Sequence, residues 1–145
     1  MGVYLDTSLF VALAFEDDQH HKRAGELVSE LCRGDYGRPL FASDVVFVET
    51  ACFIHNKMAG PNKDWKAFSK VRQLYDLIER SRLEILYLQE RSFVEAIDLY
   101  SQHQGTVDIV DSVNVVLMRS GGITKIASFD ANYDAFAGEG IERVH

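Results

Sequence analysis

Residues 108–130 read DIVDSVNVVLMRSGGITKIASFD, and the order of events inside them decides the fold. Val110, Val113, Val115, Val116 and Leu117 give a helix over 108–120 an almost all-round apolar surface, and the pair Gly121 and Gly122 ends it. ITKIASF at 123–129 then reads as a strand, with Asp130 just beyond it. A buried helix leading into a strand is the repeating step of an α/β domain. Inside the helix, Asp108, Asp111 and Asn114 recur every three residues, which sets all three on one narrow face. Two carboxylates stacked there repel each other, and without a cation one stays partly protonated near neutral pH.

The rest of the chain repeats the alternation. GVYL at 2–5 is a short strand, and the DTS that follows is a helix start, because these side chains accept orphan backbone N–H bonds. DDQHHKRAGELVSELCRG at 17–34 is an amphipathic helix on Ala24, Leu27, Val28 and Leu31, stopped at Gly34. RPLFA at 38–42 reads as a strand, with Ser43 or Asp44 capping the next helix. That helix, DVVFVETACFIHNKM, is apolar on most sides and is expected deep in the domain, with Glu49 at its middle.

GPN at 60–62 precedes a long helix whose Trp65, Phe68, Val71, Tyr75 and Ile78 form one stripe. RLEILYL at 82–88 alternates as a strand does, 89–102 is a helix with Phe93, Ile97 and Tyr100 on one face, and GIERV at 140–144 is a last short strand. Connections this long exclude hairpins and predict one α/β domain over 1–145, its mainly parallel central sheet flanked by helices. Ligand sites in such domains lie beyond the carboxyl ends of the strands, where Asp6 and Asp130 stand.

Composition bounds the function. With 145 residues, 47% of them hydrophobic and 26% charged, the chain can bury a core without disulfides or a structural metal. A formal charge of −7 argues against a broadly basic nucleic-acid-binding surface, though not against an enzyme whose acids are neutralised by metal. The N-terminus has no secretory signal pattern and no run is long enough to span a bilayer, so a cytoplasmic protein is expected. Cys32 and Cys52 are single and far apart, which suits two reduced core thiols better than a zinc site. Phosphate-binding glycine loops, GxSxG elbows and HExxH pairs are all missing from the sequence.

The acids in apolar surroundings are the strongest signal. Asp6 lies within VYLDTSLFVALAF, where an unpaired charge costs several kcal/mol. Each acid has an ordinary reading: Asp6 and Asp108 as helix caps, Asp130 in an Asx-turn, Glu49 or Asp111 paired with an arginine. One shared cause is simpler, with Asp6, Glu49, Asp111 and Asp130 converging on a hard divalent cation whose all-oxygen ligation selects Mg²⁺ or Mn²⁺. His20 and His21, beside Lys22 and Arg23, read as solvated residues without a ligand role. Between Lys57 and Arg72, the residues Lys57, Lys63, Lys66 and Lys70 form a locally basic strip, either a solvated face or a track for a phosphate backbone.

YLDTS after the first strand, VVFVETA in the second apolar helix, DIVDSVNVVLMRSGG and IASFDANYD resemble, in this order and spacing, a PIN-domain ribonuclease, and the size and layout are similar to VapC-type toxins of toxin-antitoxin pairs. The resemblance implies a parallel sheet wrapped by helices and cleavage of RNA with one or two Mg²⁺ or Mn²⁺ ions. Asp6, Glu49, Asp111 and Asp130 match its acidic quartet, with Asp6, Asp111 and Asp130 as metal ligands and Thr7 or Ser8 as the hydroxyl orienting the first acid. Asp108 replaces what is more often a small hydroxyl residue, and Asp134 is an alternative to Asp130. A small antitoxin, a homodimer and no membrane association are expected; no antitoxin segment is expected within this chain. A PIN nuclease of RNA maturation and a non-catalytic PIN-like RNA-binding module share these features. A haloacid-dehalogenase-type phosphatase needs an Asp at position 8, where Ser8 stands, and a receiver domain needs a second acid beside Asp6.

Overall fold

In the computed structural model, which describes residues 2–58, 65–80 and 82–145, five short strands form one parallel sheet. They are β1 (Val3–Leu5), β2 (Leu40–Ser43), β3 (Glu84–Leu86), β4 (Lys125–Ala127) and β5 (Glu142–Val144), in the order β3-β2-β1-β4-β5. The helices are α1 (Thr7–Ala14), α2 (His21–Arg33), α3 (Asp44–Met58), α4 (Trp65–Arg80), α5 (Glu90–Gln102) and α6 (Ile109–Ser120), with a 3₁₀ helix at Ala131–Glu139.

β1 is central because it is wholly apolar and buried, and both its neighbours are needed to satisfy its backbone. Its entry is tight: a Cβ on Gly2 would lie 2.2 Å from the Pro39 carbonyl oxygen and 2.4 Å from the Phe41 ring. From β1 the chain moves outward through β2 and β3, then returns to the other side for β4 and β5. The order therefore reverses between β1 and β4, and a crevice opens beyond the carboxyl ends of these two strands. There the Asp6 N–H bonds the Ala127 carbonyl at 3.1 Å.

α6 is buried from Asp111 to Met118, as its composition predicts, and α5 packs on it. Its end is closed by Gly122, in the left-handed region at φ 64°, and by the Ile123 N–H on the Met118 carbonyl at 2.8 Å. α1, α3 and α4 pack against one another.

Several expectations are corrected. α3 buries only Val46, Thr50 and Ile54; Val48 is 64% exposed, and Phe53 and Cys52 are exposed with it. Contact with one side of α3 is enough to complete the core, so the remaining apolar residues face outward. Along α4 the inward line is Ala67, Val71, Leu74 and Ile78, whereas Phe68 is 73% exposed and Tyr75 is exposed. The α5 stripe of Phe93, Ile97 and Tyr100 likewise faces out, and the small face of Ala96 and Leu99 faces in. Both cysteines are exposed, Cys32 on α2 included. α2 begins at His21, after a turn in which the Asp18 carboxylate accepts the His20 N–H at 2.8 Å. The GPN stretch, Lys63 and the side chains of Trp65 and Lys66 lie outside the described residues.

Candidate active site

The crevice holds a cavity of about 380 Å³ lined by Asp6, Thr7, Ser8, Glu49, Asp108, Asp111 and Asp130, with Asp18, His20, Phe53 and Phe129 at its walls. The four acids of the quartet thus arrive from β1, α3, α6 and the loop after β4. Neither lysine nor arginine lines it among the described residues.

Asp6 sits at the end of β1 as the N-cap of α1 and is 4% exposed. Its Oδ2 accepts hydrogen bonds from Ser8 Oγ at 2.6 Å and Ser128 Oγ at 2.8 Å, and Oδ1 accepts one from the Tyr133 hydroxyl at 3.0 Å. The Tyr133 hydroxyl in turn accepts a bond from Asn114 Nδ2 at 2.8 Å, and Asn114 Oδ1 lies 2.7 Å from the Tyr4 hydroxyl. Burial, and then the facing Asp6 carboxylate, push the Tyr133 phenol well above its ordinary value, so it remains a donor. Asn114 therefore acts beneath the cavity, orienting Tyr133 toward Asp6.

Asp108 and Asp111 form a capping box at the start of α6. The Asp111 N–H donates to Asp108 Oδ1 at 2.8 Å, and the Asp108 N–H donates to Asp111 Oδ2 at 3.1 Å. Asn132 Nδ2 adds a bond to the same Asp111 oxygen at 3.2 Å. Burial, reinforced by the charges of Asp108 and Asp130, pushes the Asp111 carboxyl up to about 6. Repulsion on this helix face was expected from spacing alone; burial is the larger cause.

Glu49 is half-buried and accepts a short hydrogen bond from Thr7 Oγ1. Burial raises its carboxyl above the ordinary value against the effect of that bond, with Asp6, Asp108 and Asp130 adding to the rise. Asp130 caps the 3₁₀ helix through the Asn132 N–H at 2.8 Å, and its own N–H donates to Ser128 Oγ at 3.0 Å. Asp134, the alternative to Asp130, is absent from the cavity lining. Arg143 binds both its oxygens at 2.8 Å and holds the carboxyl below its usual range.

Sequence reasoning missed Ser128, Tyr133, Asn132, Asp18 and His20. His20 is no solvated helix residue: its ring stacks on Phe129 at the cavity wall. Lys57 and Lys70 turn to the end of α1, where Lys57 pairs with Asp17 at 3.2 Å and Lys70 donates to the Ala14 carbonyl at 2.7 Å. A larger groove of about 560 Å³ lies there between α1 and α4, but its Lys70 and His21 are engaged by α1 carbonyls, leaving the acids in the smaller cavity.

Among the described residues, no three His, Cys, Asp or Glu side chains already stand close enough to hold an ion. The donor set nonetheless fits a hard divalent cation in kind: carboxylate oxygens at a switch point, with no lysine or arginine among the described residues to balance them.

The fold and site together define a parallel α/β domain with carboxylates gathered at its switch point. The chain belongs to the PIN domain family, whose model matches residues 3–139. Among solved structures it is similar to Mycobacterium tuberculosis VapC20, a sarcin-ricin loop cleaving toxin, with a TM-score of 0.73, 20% identity, and coverage of 99% of this chain and 98% of that one. VapBC2 from Rickettsia felis, bound to a DNA fragment from its promoter, gives 0.63 at 15% identity and 100% coverage of both chains. FitAcB from Neisseria gonorrhoeae gives 0.63 at 14% identity, covering 99% and 96%. At these identities the likeness is one of fold. No curated protein matches the chain in sequence.

Proposed function

We propose that this chain is a metal-dependent endoribonuclease and the toxin of a toxin-antitoxin pair. The observation that carries the reading is the convergence of Asp6, Glu49, Asp111 and Asp130, from four separate elements, on one cavity lined, among the described residues, by no lysine or arginine. Asp6, Asp111 and Asp130 would hold one or two Mg²⁺ or Mn²⁺ ions. Such ions, when bound, lower the pKa of water and neutralise charge on phosphate oxygens. Asp6 is aimed by Ser8, Ser128 and Tyr133, and Asp111 is fixed by the Asp108 N–H and Asn132. Glu49, steadied by Thr7, orients the attacking water and takes its proton.

The toxin role is supported by the fold shared with VapC20 and VapBC2. An antitoxin would answer the acidic cavity with a basic side chain. A second copy of the chain would cover the exposed apolar face of α5, giving a homodimer. The looser spacing of the acids favours one other reading, a PIN-like RNA-binding module without turnover.

Cleavage of end-labelled structured RNAs in Mn²⁺, Mg²⁺ or EDTA, with wild type beside Asp111→Asn, separates the two. A nuclease cuts only with metal, and the variant loses about 10²-fold or more. RNA binding without any cutting would leave the module.

A further inference from the structure

The wall of the acidic cavity carries an aromatic shelf that the hydrolytic chemistry does not use. The ring of His20 lies parallel to that of Phe129, with centroids 4.5 Å apart and planes 4° from coincidence. Both line the cavity. His20 is held by its backbone, its N–H on Asp18 Oδ1 at 2.8 Å and its carbonyl accepting the Ala24 N–H at 2.8 Å. Phe129 is tied from the other direction, its N–H donating to Ser8 Oγ at 3.0 Å, and the same hydroxyl donates to Asp6. The shelf is thus registered to Asp6 through Phe129 and held in the turn before α2 through His20, and little ordering is left for a ligand to impose. His20 is also the only nitrogen-bearing side chain lining the cavity among the described residues.

We infer that His20 is a stacking platform for a nucleobase beside the scissile phosphate, with Phe129 as its backing. The inference rests on the nuclease reading above. Phosphates alone meet a cavity wall of carboxylates; a base laid on the shelf supplies attraction that does not depend on charge. Every base has a π face, so the platform tolerates different sequences and fixes position along the strand.

The test is a thermodynamic cycle. Binding of a fluorescein-labelled single-stranded RNA of about eight nucleotides is measured in Ca²⁺ for wild type, His20→Ala and His20→Phe. The series is repeated with the RNA made abasic at each position in turn. One abasic position should weaken binding to wild type about tenfold, His20→Ala should do the same, and the two together should cost no more than either alone. His20→Phe should bind within about threefold of wild type. A stack that merely clips the turn before α2 to the loop after β4 predicts independent losses. Additive losses, no loss in His20→Ala, a His20→Phe variant as weak as His20→Ala, or no binding by wild type would each overturn the platform. Cleavage of the same RNA in Mn²⁺ is judged separately. An intact cycle without cutting rejects the nuclease reading alone, and cutting with additive losses rejects the platform alone.

Discussion

Asp111 is the residue at which the proposed function and stability oppose each other. Its carboxyl, ordinarily at 3.8, is raised to about 6 in the fold, so between these values the folded chain binds a proton that the unfolded chain has released. Its contribution to stability is therefore fully present below about pH 4 and is lost as the pH rises through about 6. In EDTA, Asp111→Asn should melt higher than wild type at pH 8, by a margin on the order of 1–2 kcal/mol that shrinks as the pH falls through about 6 and vanishes only below about pH 4. Melting curves of the two proteins across that range check the sign; a wild type that stays the more stable at pH 8 contradicts it. Tyr133→Phe should act the other way. It removes the donor to Asp6 and strands the buried Asn114 amide, costing about 1–3 kcal/mol by denaturant titration and weakening cleavage. The hydroxyls that do this were invisible in the sequence, because Ser128 and Tyr133 meet Asp6 only across the sheet. The acids were visible, since a carboxylate inside an apolar run announces itself.

At the scale of elements, α6 supports the site and is the helix least tolerant of change. Met118 is fully buried within it, and Met118→Ala should cost about 2–5 kcal/mol while leaving every carboxylate in place. Urea unfolding measures the loss, and a change below 1 kcal/mol would mean that α6 is looser than its burial implies. The alternation of helices and strands was legible in the sequence, as were the glycine pair ending α6 and the acids at the ends of β1 and β4. What periodicity did not tell was which apolar stripe faces this chain's own core. On α5 the larger stripe, Phe93, Ile97 and Tyr100, points outward, while Ala96 and Leu99 allow close approach to α6. Periodicity finds a face; only packing assigns its neighbour. The same reason undid the expectations for α3 and for the α4 stripe.

For the whole molecule, that outward α5 face predicts a mass. Light scattering at micromolar concentration should give twice the 16.4 kDa of the chain. Phe93→Lys combined with Ile97→Lys should give the single value, with the far-ultraviolet circular dichroism unchanged. A monomeric wild type would remove the homodimer. The sheet order has a different consequence, for the timing of synthesis. β1 leaves the ribosome before the other four strands yet lies at the centre of the sheet, and its neighbour β4 emerges only after α6. A nascent chain halted between Glu49 and Gly121 carries Asp6, Ser8 and Glu49 without Asp130 or the Ser128 and Tyr133 hydroxyls that also bond Asp6. The acid-lined crevice is thus completed by topology only when β4 is inserted, and it cannot be assembled piecemeal as the chain is made.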